Sequence, residues 1–283
     1  MTKKTSVIKP RVRLRGGKLI AVIALILISL VAIFPFWTMC MMSTYSTADI
    51  YKGVKILPGD YFIENIKSLM QIDYGTYYGN SFIVAIATSV LAVFVSAMAG
   101  YGFAKYRFRG RTMLTGVVML TLMVPVQLGI VGLVIEMKAF GWLNTLLPLI
   151  VPNCASAFGV YWLSQFTGEA VPDEVIESAR IDGCGEFHAF LHIALPFMFP
   201  ACTALLLISF LGSWNAFFAP SILLTNNKLF TLPLGIRQLA TQYRFDTGAQ
   251  ICGLTFGTIP MLIVFSLFSK YLITGMSAAA VKG

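Results

Sequence analysis

Six apolar stretches divide this chain, and each is long enough to cross a lipid bilayer. A helix of about 20 apolar residues spans the hydrocarbon core, where it satisfies its own backbone hydrogen bonds. The charged fraction of 12% is low beside the roughly 25% that is usual in soluble domains. The sequence therefore predicts an all-α integral membrane protein with six transmembrane helices and no separate soluble domain. The stretches are residues 19–42, 81–103, 113–135, 146–166, 196–220 and 251–273.

The distribution of basic residues predicts the orientation. Seven of the 21 Lys and Arg residues lie in residues 1–18, and four more lie in residues 105–111, just after the second stretch. Basic residues near span ends mark the cytoplasmic side. We therefore expect a cytoplasmic tail over 1–18, and an even number of spans then places both termini in the cytoplasm. Because these clusters flank apolar spans, we do not read the net charge of +9 as a sign of nucleic-acid binding.

Small residues predict where helices pack closely. Small side chains let helix backbones approach each other in lipid. One set recurs every four residues in the second stretch, and a Gly-x-x-x-Gly pair lies in the sixth. These residues are Ala92, Ser96, Gly100 and Ala104, and Gly253 with Gly257.

The longest predominantly polar run between two apolar stretches is acidic. Pro172 suits the first turn of a helix, and Asp182-Gly183 is a turn signal at which Gly can adopt a left-handed conformation. A second helix is predicted from about Glu186 to Leu195, and Pro196 is expected to break or kink the chain after it. The apolar face of that second helix consists of Phe187, Phe190, Leu191, Ala194 and Leu195.

The chain contains no motif for catalysis or for binding ATP. It lacks the GxxxxGK[ST] phosphate loop, and no Ser-His-Asp or paired-carboxylate arrangement is supported. His188 and His192 have an i, i+4 spacing that can bind zinc, but the Glu of HExxH and a third ligand are missing. We therefore expect no catalytic residue, no metal site and no cofactor in this chain.

Residues 177–183 read Glu-Ser-Ala-Arg-Ile-Asp-Gly, and Ile193 and Leu195-Pro196 follow at a fixed spacing. This pattern resembles the EAA loop of ABC importer permeases in both identity and spacing. Ser178 replaces the second Ala of the family pattern, and Cys184 replaces a common Ala; both replacements are small. We call residues 171–195 the EAA-like loop. A plain solvated loop between two membrane helices is the alternative interpretation.

Four further segments extend the resemblance over nearly the whole chain. They are similar to segments of carbohydrate ABC permeases of the maltose type, and most of all to the second of the two maltose-type membrane subunits. The resemblance implies the type I ABC importer permease fold, sugar import and a place in the cell (inner) membrane. The segments are residues 101–110 (YGFAKYRFRG), 212–215 (GSWN), 231–235 (TLPLG) and 280–283 (AVKG).

The resemblance also implies partners. These are a second, homologous permease subunit, an ATPase dimer that binds ATP and Mg, and an extracytoplasmic solute-binding protein. In the family, the EAA loop docks into a cleft of the ATPase. Glu177 is expected to form a salt bridge there, and Gly183 is expected to make the tight turn. The full set of expected coupling residues is Glu177, Ala179, Asp182, Gly183, Leu195 and Pro196.

Two further groups are expected to contact the solute and the binding protein. Leu211, Trp214 and Asn215 lie on one helix face, where an aromatic ring can stack on a sugar and an amide can bond to its hydroxyls. Trp214 as a membrane-interface anchor is an equally good interpretation. The binding-protein contact is expected in the loop predicted to lie outside, at Asn226, Asn227 and Lys228.

Other functions remain open from the sequence. A secondary solute carrier would act without an ATPase, but such carriers usually place an ionisable residue at the membrane midplane, and the predicted spans have such residues only near their ends. A membrane scaffold or insertase is a second alternative. Within the ABC permeases, glycerol-phosphate or another non-sugar solute is open, because no sequence feature excludes an anion.

Overall fold

The computed structural model describes residues 16–241 and 244–280, with side chains over 18–125, 127–240 and 245–269. Most of the predicted basic tail and the last three residues of the 280–283 motif lie outside the described residues. The α-helices are α1 Gly16–Met42, α2 Thr47–Ile50, α3 Phe62–Leu69, α4 Tyr74–Lys105, α5 Arg111–Met123, α6 Ile130–Ala139, α7 Leu147–Ile150, α8 Ala157–Ala170, α9 Asp173–Ile181, α10 Glu186–Ala189, α11 Leu195–Trp214, α12 Phe218–Leu223, α13 Leu232–Ile236 and α14 Thr247–Ala280.

Short irregular elements connect these helices. Strands β1 (Ala240–Thr241) and β2 (Arg244–Phe245) form a two-residue antiparallel ladder, the one departure from an all-helical chain among the described residues. A π-helical turn covers Phe190–Ala194. Single 3₁₀ turns cover Val126–Gly129, Pro152–Cys154, Asn227–Leu229 and Arg237–Leu239.

Five helices within the described residues are long and apolar enough to cross a membrane, and a bent pair brings the number to six if it counts as one span. The bent pair consists of Arg111–Met123 and Gln127–Ala139, which meet at 89°. The third apolar stretch, predicted as one helix over 113–135, is therefore broken. Pro125 explains the break, because proline forces the preceding residue out of helical conformation, and Val124 is extended (φ −86°, ψ 120°).

The fourth and fifth stretches also differ from the uninterrupted helices predicted over 146–166 and 196–220. In the fourth, α7 ends at Ile150 and α8 begins only at Ala157, where the Ser156 hydroxyl caps it by accepting from the Gly159 N–H at 3.1 Å. In the fifth, α11 ends at Trp214, and the Asn215 side chain donates to the Leu211 carbonyl at 2.9 Å. Side-chain hydrogen bonds thus satisfy the helix ends that the apolar pattern did not reveal.

Pro196 does not end the helix, so of the break or kink expected there, the break is wrong. α10, the π turn and α11 continue as one 29-residue helix from Glu186 to Trp214. Within the π turn the Leu195 N–H donates to the Phe190 carbonyl, five residues earlier. The hydrogen-bond register has therefore already shifted at the point where Pro196 has no N–H to donate, and the helix accommodates the proline.

α4 is the central helix, and it packs against both α8 and α11. The predicted close packing is confirmed for Ala92, Ser96 and Gly100, which are all buried, while Ala104 at the end of the set is half-buried. A Cβ atom on Gly100 would lie 2.9 Å from the backbone carbonyl carbon of Leu163 in α8. The second predicted pair also packs closely, because a Cβ on Gly257 would lie 3.1 Å from a methyl group of Leu232.

α11 joins two buried clusters. Met198, Ala201 and Leu205 belong to a cluster that includes residues of the EAA-like loop. Phe210 and Trp214 belong to a second cluster, formed with α3, α4, α13 and α14. One helix therefore connects the loop to the opposite end of the bundle.

We predict that Gly100→Ala destabilises the chain by roughly 1–3 kcal/mol, because the new methyl group would overlap the α8 backbone. The matched control is Gly102→Ala in the same helix, where a Cβ meets nothing within 4 Å. That substitution should be neutral or slightly stabilising, since Ala favours helix over Gly. Thermal unfolding of the purified protein in detergent measures both variants, and equal melting temperatures would contradict the close α4–α8 approach.

Candidate functional site

The first helix of the EAA-like loop is α9, and the chain turns sharply just after α9 ends. Gly183 has φ +79°, a left-handed conformation that other residues adopt at a cost. Its N–H donates to the Arg180 carbonyl at 3.0 Å, and the Cys184 N–H donates to the Ala179 carbonyl at 2.9 Å. This pair of bonds is a Schellman motif, so the turn predicted at Asp182-Gly183 is present and its geometry requires glycine at 183.

Buried apolar side chains seat the loop on α4. Val171, Ile176 and Phe190 are each at most 2% exposed, and they pack in one cluster with residues of α4, α8 and α11. The Phe190 ring lies 5.5 Å from the Tyr101 ring, centroid to centroid. The predicted apolar face is therefore largely correct. Phe187 is its exception, with 58% of its surface exposed.

Polar contacts tie the end of α4 to the first helix of the loop. The Lys105 ammonium donates to the Val171 carbonyl at 2.6 Å and to the Asp173 carboxylate at 2.5 Å. The hydrogen bond from Lys105 lowers the pKa of Asp173 below its ordinary value. Asp173 is therefore ionised at neutral pH, and it is well exposed, so this pair positions the loop more than it adds stability.

A second set of polar contacts joins the two helices of the loop. The Arg180 guanidinium donates to both carboxylate oxygens of Glu186, at 2.9 and 3.2 Å. The Tyr106 hydroxyl, just beyond the end of α4, donates to the same carboxylate, and the Arg180 guanidinium lies over the Tyr106 ring at 5.4 Å. Glu186 thus links α9, α10 and the end of α4 in one network.

The outer face of the loop is open. Glu177, Asp182 and Gly183 are exposed, and Ile181 between them is 86% exposed. Glu177 also lines a cleft of about 390 Å³ together with Lys105, Arg107 and Arg180 among others. Ile181 and Phe187 are therefore large apolar side chains exposed in a loop that also carries charged groups. Ile181 was not among the predicted coupling residues, although a large apolar residue between Arg180 and Asp182 was a signal in the sequence.

The structure separates the six expected coupling residues into two groups. Glu177, Asp182, Gly183 and Pro196 are exposed, and Leu195 is half-buried. Ala179 is only 7% exposed and belongs to the inner face of α9. Ala179 therefore packs against the bundle in this structure, and its small size lets α9 lie close to it.

A cavity of about 680 Å³ lies beside the second half of α11. It is bounded by α4, by the end of α5, by the segment between α7 and α8, and by α11 from Leu205 to Ser213 with Ala216 just beyond it. Its polar lining consists of six hydroxyl side chains and one amide: Thr88, Thr121, Ser156, Ser209, Ser213, Thr231 and Asn153. The aromatic ring of Phe158 also lines it.

The residues expected to contact solute lie on a different face of α11. Trp214 is 2% exposed, donates its ring N–H to the Gly257 carbonyl at 3.0 Å, and packs edge-on against Phe82. Asn215 bonds to the Leu211 carbonyl, and Leu211 packs against the cluster around Trp214. In this conformation Trp214 packs inside the bundle. The face of α11 toward the cavity is formed by other residues, Leu205, Ile208, Ser209, Gly212 and Ser213. The small residues that could have indicated that face follow a helical i, i+3, i+4, i+7 spacing: Ser209, Gly212, Ser213 and Ala216.

The expected binding-protein contact is a structured, exposed turn. Asn226, Asn227 and Lys228 are exposed, and the Asn226 side chain accepts from the Lys228 N–H at 3.0 Å. Asn144 holds the turn from one side by accepting from the Asn226 N–H at 2.8 Å. Asn80 of α4 holds it from the other by donating to the Lys228 carbonyl at 2.9 Å.

No cluster of three or more possible metal ligands occurs among the described residues. The His188 and His192 rings stack at 3.9 Å, centroid to centroid. Both are exposed on the loop's second helix. The pair lacks the third protein ligand that zinc sites use.

These features define a class of protein: a helical membrane protein whose polar loop packs on the bundle and has an exposed outer face. Residues 92–278 match the family described as "Binding-protein-dependent transport system inner membrane component". The chain belongs to this family and is a permease subunit of an ABC importer in the inner membrane. Such permeases are not enzymes, because ATP hydrolysis occurs on separate ATPase subunits.

Curated relatives and a solved structure extend this likeness over the whole length. The "Arabinooligosaccharides transport system permease protein AraQ" of Bacillus subtilis (strain 168) is 31% identical, over 91% of this chain and 93% of that protein. The "Trehalose/maltose transport system permease protein MalG" of Thermococcus litoralis is 26% identical, over 94% and 97%. A crystal structure of a bacterial ABC transporter involved in the import of the acidic polysaccharide alginate has a chain with TM-score 0.77 and 19% identity, covering 94% of this chain and 99% of that one. That similarity shows the type I ABC permease fold.

We predict that Gly183→Ala lowers the stability of the loop by about 1–2 kcal/mol, because the left-handed conformation strains any residue with a Cβ. Gly183→Asn should cost less, since asparagine tolerates this conformation. Gly168→Ala, in the exposed face of α8, is the control and should not destabilise. Thermal unfolding ranks the three variants. If Gly183→Ala is as stable as Gly168→Ala, position 183 does not require glycine.

Proposed function

We propose that this chain forms half of the translocation path of an ABC importer for a sugar, either an oligosaccharide or a related solute that an extracytoplasmic binding protein delivers. The observation that carries the proposal is the seated EAA-like loop, whose exposed face includes Glu177 and Ile181. The loop is continuous with the helix that lines a hydroxyl-rich cavity. The two relatives transport arabinooligosaccharides and trehalose or maltose, according to their names, which supports a sugar as the solute.

The proposal includes the remaining parts of the importer. A second, homologous permease subunit supplies the other half of the path, and a dimer of ATPase subunits binds ATP and Mg and docks on the EAA-like loop. The membrane is crossed six times with both termini in the cytoplasm, so the bent pair α5–α6 counts as one span. The EAA-like loop then faces the cytoplasm, and the turn at 226–228 faces the binding protein.

The geometry suggests how the loop would transmit motion. The helix Glu186–Trp214 carries Glu186 and Phe190 of the loop at one end and Ser209 and Ser213 of the cavity wall at the other. A helix rises 1.5 Å per residue, so about 40 Å separate Glu186 from Ser213 along its axis. An ATPase that moves the loop therefore moves one wall of the cavity. The direction of that movement depends on which conformation of the permease each partner binds more tightly.

The cavity lining bears on the secondary-carrier alternative. Its 21 lining residues include no Asp, Glu, Lys, Arg or His among the described side chains. Carriers coupled to protons or sodium usually place such a group on the solute path. The lining therefore favours an importer driven by a separate ATPase. Solute uptake by this chain alone in ATP-free proteoliposomes would establish the carrier instead.

We predict that cysteines placed at Glu177 and Ile181 crosslink to an ATPase subunit in membranes that contain the whole importer, because both side chains are exposed on the loop. Ala179→Cys is the matched control in the same helix and should crosslink far less, since position 179 is 7% exposed. Mass spectrometry identifies the captured protein. Capture of a protein without a phosphate-loop motif, or equal capture from position 179, would contradict the proposed docking surface.

A further inference from the structure

We propose that this subunit binds the imported solute itself, in the 680 Å³ cavity beside α11, and that the cavity accepts an uncharged sugar and excludes an anionic one. The inference rests on the proposed sugar-import function and deepens it by naming the charge class of the solute and its contacts. Cavities of about 300–1,000 Å³ are typical of small-molecule sites. Three features of the cavity support this: Thr231, Phe158 and the uncharged lining.

Thr231 supplies a buried polar group to the lining of the cavity. It lines the cavity, is 3% exposed, and its hydroxyl has no hydrogen-bond partner among the described residues. A buried hydroxyl without a partner is unfavourable, and buried polar groups nearly always have one. A ligand that forms a hydrogen bond to this hydroxyl would satisfy it.

Thr231 lies at a position where the side chain usually forms a hydrogen bond within the helix. Thr231 is the N-cap residue of α13, where threonine usually accepts a hydrogen bond from a backbone N–H of the first turn. Its side chain makes no such bond, although the Thr231 carbonyl accepts from the Gly235 N–H at 2.8 Å. The helix is therefore formed without the side-chain cap, and the hydroxyl is left without a partner on a residue that lines the cavity.

Phe158 supplies an apolar surface in the same cavity. Its ring is 41% exposed and stacks on Trp162 with centroids 6.0 Å apart. A sugar presents C–H groups on the faces of its ring and hydroxyls at its edge. An aromatic ring together with several hydroxyl and amide groups matches both surfaces, and Ser209, Ser213 and Asn153 provide those groups here.

The same lining is unsuited to an anion. None of the described lining side chains carries a positive charge, and the lining includes Leu122, Leu149 and Leu205. Moving a carboxylate or phosphate from water into such a site is strongly unfavourable without a paired cation. The transporter with the similar fold is described as importing the acidic polysaccharide alginate. The two proteins would then share a fold and differ in the charge of the solute they accept.

The test measures protection from thiol labelling in the assembled importer. The five native cysteines are replaced by alanine, and one cysteine is placed in the cavity wall at Ala216, with Ser213→Cys as the second variant. Labelling by a small maleimide is followed with maltose or an arabinose trisaccharide present, and with a guluronate trisaccharide at equal concentration and ionic strength. We expect the neutral sugars to slow labelling and the acidic one to leave it unchanged.

A threonine series tests the assigned contact. Thr231→Val should raise the sugar concentration needed for half-protection roughly fivefold, the effect of losing one neutral hydrogen bond. Thr231→Ser should restore it. The matched control is Thr225→Val, an exposed position outside the cavity, which should leave protection unchanged.

Uptake by the unmodified importer separates the two possible failures. If wild-type proteoliposomes import a neutral sugar but no sugar protects the cavity, or the acidic sugar protects equally well, the cavity proposal is overturned and sugar import stands. The same conclusion follows if Thr231→Val matches the Thr225 control. If no sugar is imported at all, the proposed function fails and this inference fails with it.

Discussion

The packing of the EAA-like loop against α4 connects the exposed outer face of the loop to the helix bundle. Phe190 and Ile176 pack in one cluster with Tyr101, while Lys105 at the end of α4 binds the start of α9 through the Asp173 carboxylate. Burying the loop's inner face leaves its outer face free for a partner. A loop that was only solvated would instead move independently of the bundle, and movement of a partner would not reach the membrane.

The continuous helix from Glu186 to Trp214 extends that constraint across the bundle. Its π turn allows Pro196 within the helix, so the loop and the cavity wall belong to one element. Two faces of α11 then have separate roles. Phe210 and Trp214 anchor it among α4, α13 and α14, and Ser209 and Ser213 line the cavity. Anchoring on one face leaves the other available to a solute.

Much of this could be predicted from the sequence, for physical reasons that differ between elements. The apolar stretches, the small-residue face of α4 and the Asp182-Gly183 turn follow from local patterns, and the structure contains all three. The break at Val124-Pro125 and the continuity through Pro196 depend on hydrogen-bond register, which apolar periodicity does not record. The placement of Trp214 depends on its partner at Gly257, 43 residues away in the chain. The solute contact predicted from an aromatic residue beside an amide stays a prediction, and the packing around Trp214 depends on contacts that the local sequence does not record.

The most direct test of this account asks whether the loop and the bundle move as one body. In a cysteine-free background, spin labels at the exposed positions Asp182 and Val90 report the distance between the loop and α4 by pulsed electron resonance. The account predicts one narrow distance distribution in the assembled importer that stays the same with and without ATP. A distribution that broadens or shifts when ATP binds would show that the loop moves relative to α4, and would contradict the central claim.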